Sequence, residues 1–259
     1  LTINGKDHAT KHGDGLEEGF TTKMLDYACG LDGPALPESN LKRSLLMMHS
    51  ETKCNGYFIL VDQVSANPLK SIQSYLHPAT ESPLQITEKR TQYEATIDHH
   101  NRREGVKLSI FYATQPNNIQ IDEAVSGYLK RNPEAGKHKR IEAQYPVEED
   151  GDNTIVTVLF PYDPEHPKAK LSRIDTTNYT GASISYSSGI KDLIVSSKSI
   201  DQIQFDDMKF QADVLLIRRA QEELQGYFVR KGKFFRMGPV GFSSKDNISM
   251  LLHHGSGKI

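Results

Sequence analysis

The chain has 259 residues, of which 31 are basic and 33 acidic, giving a formal charge of -2, and it contains no tryptophan. Both signs are mixed along it, so there is no general electrostatic reason to expect nucleic acid or an anionic membrane as partner. No run of roughly eighteen or more apolar residues marks a membrane span, and the length suits one large domain over residues 1–259.

Leu1-Thr2-Ile3-Asn4-Gly5 reads as the inside of a strand with no basic and apolar leader before it. The chain is therefore expected to be the C-terminal part of a longer protein. Downstream, short segments rich in β-branched and aromatic residues are closed by Gly, Pro, Asn or Asp, as successive antiparallel strands are. In order, strands are expected at 44–48, 57–64, 71–77, 85–89, 93–98, 107–113, 154–160, 182–187, 192–196 and 226–230. Turn signals such as Asn55-Gly56, Asn67-Pro68, Asp150-Gly151-Asp152 and Lys231-Gly232-Lys233 favour sheet-on-sheet packing over alternating strand and helix. The expected class is all-β, a large antiparallel β-sandwich with few helices.

Residues 126–153 are charged, punctuated by Pro and Gly, and poor in apolar periodicity, which suggests a long surface connection. It carries the basic cluster Lys137-His138-Lys139-Arg140, expected to be solvated or to meet an acidic glycan. Phe210, Val214, Leu215, Ile217 and Leu224 fall at helical spacing, with a good helix former at residues 220–224. Phe210, Ala212, Val214 and Leu216 also alternate on one face before a turn and a further strand. A β-rich neighbourhood supplies a partner, so a hairpin is expected.

Cys29 and Cys54 are either buried free thiols or a cross-strand disulfide, which needs Cα atoms within about 7 Å; free thiols are expected. His99-His100 is expected at an exposed turn. Tyr112, Tyr162, Tyr179 and Tyr186 are expected to pack in the core or at its rim, the alternative being a sugar platform.

Residues 41–78 contain Lys42-Arg43-Ser44-Leu45-Leu46, then Gly56-Tyr57-Phe58-Ile59-Leu60-Val61-Asp62-Gln63-Val64, then a segment ending in His77. They resemble the C-terminal region of heparinase II/III-type polysaccharide lyases, where an Arg-bearing strand leads to a "gyfvvvDrv" strand and then to a strand ending in His. Residues 1–7, 153–161 and 212–232 resemble further segments of that region.

The resemblance implies β-elimination on a uronic-acid-containing glycan, a bacterial periplasmic or extracellular setting, and an α/α toroid, N-terminal to the sandwich, that holds most catalytic residues. These 259 residues contain no helical-repeat toroid, so the catalytic residues cannot be assigned here and the chain alone is expected to be inactive. Its implied partners are an anionic polysaccharide and that toroid, and one sheet face should carry an apolar patch that meets the toroid.

Some members hold zinc through His, Asp and His on adjacent strands, and Asp62 and His77 match the second and third positions. Lys42 and Ser44 stand where the first His belongs, and His49 comes several residues late. Asp62 and His77 are thus either zinc ligands, in a site that closes with about four donors, or a hydrogen-bonded carboxylate and a packed imidazole. The competing function is a non-catalytic carbohydrate-binding or structural module.

Overall fold

The computed structural model describes residues 1–36, 38–51, 54–78, 84–89, 92–98, 106–125, 137–147, 152–198 and 201–253. Strands supply nearly all the regular structure among them, beside one 3-10 turn at Gly33–Ala35. The all-β expectation is met.

Three antiparallel sheets stack in layers. The central sheet has the order β2 (Gly15–Thr21), β3 (Leu25–Leu31), β4 (Ser39–Met48), β5 (Tyr57–Ala66), β12 (Asp152–Tyr162), β9 (Lys107–Tyr112), β8 (Gln92–Asp98), β7 (Leu84–Lys89). A small sheet of β1 (Thr2–Ile3), β6 (Ile72–Leu76), β11 (Lys137–Tyr145) and β10 (Asn118–Val125) covers part of one face. The C-terminal sheet covers the other. Its order is β13 (Lys170–Asp175), β14 (Tyr179–Ser185), β15 (Ile190–Ser197), β18 (Val214–Ala220), β19 (Glu223–Met237), β17 (Met208–Gln211), β16 (Ile203–Phe205), and β20 (Val240–His253) also pairs with β19.

The period-two alternation of strands sorts side chains between the layers. On β5, Tyr57, Ile59 and Val61 join the core against the C-terminal sheet, while Val64 joins the core beneath the small sheet. On β12, Val156, Val158 and Phe160 take the first side and Ile155 the second. Both faces are apolar, so the sequence of β12 reads as a nearly continuous hydrophobic run rather than an alternation.

The C-terminal sheet repeats this arrangement. Val214 and Leu216 of β18 face the central sheet, whereas Leu215 and Ile217 join a third cluster on the outer face. The β16–β17 hairpin and the far half of β19 roof that cluster with Met208, Phe210 and Phe235.

The hairpin expected over 210–230 is present: β18 and β19 pair from Val214↔Arg230 to Ala220↔Glu223. Gln221 and Glu222, both at positive φ (50° and 68°), make the tight turn that suits the right-handed twist of the strands. The turn expected at residues 231–233 is instead a bulge inside β19, where the pairing with β20 shifts register. A Cβ on Gly232 would strike the Val229 side chain, so glycine here lets the strand bend while its main-chain pairing continues.

The long connection expected at 126–153 is also corrected. Lys137–Tyr145 is a strand, paired with β10 from Val125↔Lys137 to Asn118↔Gln144. Its apolar alternation starts only at Ile141 and continues through Ala143 and Tyr145, which are buried, so the charged first half hid it. The basic cluster lies in that half, with Arg140 bonded to Asp122 at 2.7 Å and Lys139 in register with Glu123. Residues 126–136, 148–151 and the His99-His100 pair lie outside the described residues. At the N-terminus only Thr2–Ile3 is strand; Asn4 and Gly5 turn away with φ of 54° and 70°.

Gly181 of β14 sits so close to β15 that a Cβ would collide with the Ile194 carbonyl oxygen. Gly181→Ala is expected to destabilise the protein by ~1–3 kcal/mol or more, because backbone must move. Urea unfolding checks this, and an unchanged midpoint would contradict the β14–β15 packing.

Candidate functional site

The core between the central and C-terminal sheets has a buried arginine at each end, both from the β18–β19 hairpin. Arg218 continues the inward alternation of Val214 and Leu216, and is 1% exposed. Its Nε and Nη2 donate to Asp192 Oδ1 and Oδ2, both at 2.8 Å, and its Nη1 donates to Glu51 at 2.7 Å. Asp192 lies opposite it on β15 and is fully buried. Tyr57, from the central sheet, donates its hydroxyl to Asp192 Oδ2 at 2.7 Å.

Burial alone would pull the Arg218 guanidinium down, but the hydrogen bonds and charge of Asp192 outweigh it and hold the group above its ordinary pKa. Burial, reinforced by Asp192, pushes the Tyr57 phenol well above its usual value. Tyr57 is therefore a fixed hydrogen-bond donor near neutral pH and not a base.

Arg230, at the opposite end, is likewise buried. Nη1 donates to Asp213 at 3.0 Å and Gln63 at 3.1 Å, and Nη2 to Glu17 at 3.2 Å and the Cys29 sulfur at 3.3 Å. Lys231 adds a 2.5 Å bond to Glu17, and Lys42 stands 3.9 Å from the same carboxylate. Glu17 is held below the usual carboxylate range, first by the Lys231 hydrogen bond. Both cysteines are buried and free, as expected.

A cleft opens beside the Arg230 cluster and shares Lys42, Gln63 and Asp213 with it. A cavity of about 390 Å³ opens there, lined among others by Asp14, Asp32, Lys42, Gln63, Asp152 and Asp213. A second, of about 370 Å³, lined by Thr114, Gln115, Asn117 and Asp175 among others, shares Asn153, Thr154 and Lys198 with the first. Together they form a polar trough along one end of the sandwich. Burial pushes the Asp32 carboxyl up, and its Oδ2 has no hydrogen-bond partner. The trough lining offers amides, hydroxyls, carboxylates and lysines, but no tyrosine, histidine or arginine among the described residues.

Asp62 and His77 are not brought together as neighbours in one sheet. Asp62 is on β5, and both its oxygens accept from Arg43 of β4, directly opposite, at 2.6 and 2.8 Å. His77 is exposed, one residue beyond β6 in the small sheet. Among the described residues no group of three or more His, Cys, Asp or Glu could hold a metal ion. With Asp62 committed to a guanidinium, this arrangement does not fit a closed zinc site of about four donors.

The four tyrosines expected at the core or its rim pack there. Tyr112 lies in the core under the small sheet, and Tyr179 packs on Phe205 and Phe210. Tyr186 packs against Phe160 and donates to the Asn55 carbonyl at 2.9 Å, while Tyr162 lies beneath Lys168. An apolar patch does remain open on the central sheet. Leu45, Met47 and Phe58 are 40%, 37% and 36% exposed, and cross-strand pairing sets Met47 against Phe58 and Leu45 against Leu60.

Sequence reasoning missed the two arginines. Their signal was phase: Arg218 falls in step with Val214 and Leu216, and Arg230 with Phe228, so the alternation that buries those residues buries the arginines as well.

Asp192→Asn leaves Arg218 partly unpaired in the core and is expected to cost ~3–5 kcal/mol in urea unfolding, with Arg218→Met in the same background recovering part of it. Glu17 has a depressed folded-state pKa, so its contribution is present above its unfolded value of 4.5 and lost as pH falls through the folded one. Glu17→Gln is expected to flatten the loss of stability on acidification below that value. Equal acid sensitivity of the two proteins would contradict the Lys231–Glu17–Arg230 contacts.

No protein-family model matches the chain, and no curated protein does. Among solved structures, the heparan sulfate lyase HepC of Pedobacter heparinus is similar over 70% of this chain, with a TM-score of 0.50 and 16% identity. The chain spans 27% of the length of that enzyme. At this identity the likeness is one of fold: these layers match a portion of a lyase.

Proposed function

We propose that the chain is the β-sandwich part of a polysaccharide lyase that acts by β-elimination on uronic-acid-containing glycans, walling the substrate cleft and supporting an α/α toroid. The observation that carries this is the fold likeness to a portion of a heparan sulfate lyase. Two features of the chain agree with it. Elimination needs groups that take a proton from carbon and return one to the leaving oxygen, work suited to Tyr and His. Among the described residues the trough lining holds neither, as expected of a part whose catalytic groups are supplied from elsewhere. The open patch of Leu45, Met47 and Phe58 is the apolar face that a toroid would cover. In a bacterium the protein would work in the periplasm or outside the cell, where such glycans are met. Asp62 is held by Arg43 and is not assigned to a metal ion.

A second function is favoured by the trough itself. Asp14, Asp32, Asp152, Asp175 and Asp213 outnumber Lys42 and Lys198 among its charged lining residues, which suits a neutral hydroxyl-rich saccharide better than a polyanion. A carbohydrate-binding module would use it in that way.

Incubated alone with heparan sulfate or a polyuronate, the chain is expected to release no unsaturated uronate, read by its ultraviolet absorbance. Robust release would overturn the lyase-part assignment. The upstream reading frame separates the two functions, since helical hairpins ahead of Leu1 support the lyase and a secretion leader directly ahead of it supports the module. The chain by itself is expected to self-associate through the Leu45, Met47 and Phe58 patch with rising concentration in light scattering, and Leu45→Lys with Phe58→Lys is expected to abolish that while leaving the melting temperature nearly unchanged.

A further inference from the structure

The outer face of the C-terminal sheet, turned away from the central sheet and from the trough, contains a separate cavity of about 260 Å³. Its floor is Ile174, Ser183, Leu193 and Ile217 on four adjacent strands, and its roof is Phe205 and Met208 of the β16–β17 hairpin. Lys191, Arg219 and Asp206 complete the lining. The interior is thus apolar, with charge confined to a few side chains. Its size lies just below the usual range of small-molecule sites, ~300–1,000 Å³.

The β15–β18 register sets Lys191 directly opposite Arg219 on this face. Like charges directly opposite each other in an antiparallel pair are destabilising, so the arrangement carries a cost. Arg219 is balanced by Asp207 at 2.6 Å and Glu222 at 3.6 Å. Lys191 is exposed and has no carboxylate within ion-pair distance among the described residues. A cation without an ion pair among the described residues therefore stands beside an apolar cavity. A saccharide would leave its hydroxyls unsatisfied against Leu193, Phe205 and Ile217, at the desolvation cost of each unpaired group. A hydrocarbon would leave Lys191 unused.

We propose that this cavity binds a small amphipathic carboxylate, its apolar body between Phe205 and the Leu193–Ile217 floor and its carboxylate at Lys191 and Arg219. The site is independent of the lyase assignment and of the trough. Asp206, at the tip of the β16–β17 turn with φ of 52°, opposes an anion and sets an upper limit on its affinity.

The test is calorimetric titration of the whole chain with 3-phenylpropionate and with its neutral amide. The carboxylate is expected to bind with a Kd of ~0.1–1 mM, in line with a ligand of about eleven heavy atoms. The amide is expected to be roughly 10-fold weaker. Lys191→Met should weaken the carboxylate about 5-fold and leave the amide unchanged. Asp206→Asn, which keeps a side chain at home in the left-handed region, should tighten the carboxylate by roughly 2- to 5-fold. Ser183→Leu fills the floor and should abolish binding of both. If that variant fails to fold, the two exposed substitutions decide. No saturable heat up to ~10 mM carboxylate, equal affinity for acid and amide, or indifference to both Lys191→Met and Asp206→Asn would each overturn the proposal.

Discussion

A guanidinium stays charged at any pH a protein meets, and in a dry interior it must find carboxylates or the fold cannot form. Among its described residues this chain buries two, one at each end of the core between its main sheets. Arg218 takes Asp192 from its own sheet and Glu51 from the segment leading to β5, with Tyr57 tied in through Asp192. Arg230 takes Asp213 from its own side and Glu17 and Gln63 from the central sheet. A one-residue slip of the β18–β19 hairpin would turn both arginines outward and drive Arg219 and Lys231 into the core. The apolar residues alone would tolerate such a slip better, because Leu215 and Ile217 are as hydrophobic as Leu216 and Val214. The ionic ends therefore choose among registers that hydrophobicity alone leaves close in energy.

The strand-rich class and most strand positions were legible because turn residues punctuate short β-branched runs. The β18–β19 hairpin was legible once its partner was considered, although its helical spacing is real. The remaining failures have local causes. In β11 the first half carries Lys137 to Arg140, with Arg140 bonded to Asp122 of the neighbouring strand, so no apolar rhythm marks it. At Lys231-Gly232-Lys233, glycine between two lysines looks like a reversal, yet the main chain on either side is already paired and only bends. The third layer was invisible, because a continuous apolar run shows that both faces are covered but not by what.

The site was less legible than the fold. Asp62 was read as a zinc ligand or a hydrogen-bonded carboxylate; its partner is the arginine opposite it in β4, and the next strand in the chain leaves for another sheet. Cross-strand neighbours are set by sheet order, which a linear reading cannot supply. The trough was missed for the same reason: Asp32, Gln63, Asn153 and Lys198 come from four separate segments and meet only because the ends of the sheets coincide. Its lining includes none of Leu45, Met47 and Phe58, so ligand recognition and domain support need not compete for the same residues.

The three apolar clusters are separated by sheets and do not merge, which gives the layers distinct resistance to opening. The cluster between the main sheets is enclosed on both sides, so the amides of β12, β15 and β18 should exchange with solvent only on global unfolding. The third cluster is roofed by two short strands, β16 with three residues and β17 with four. Neither strand supplies a partner to the buried arginines among the described residues, so this roof is expected to open at a lower free energy than the cluster between the main sheets.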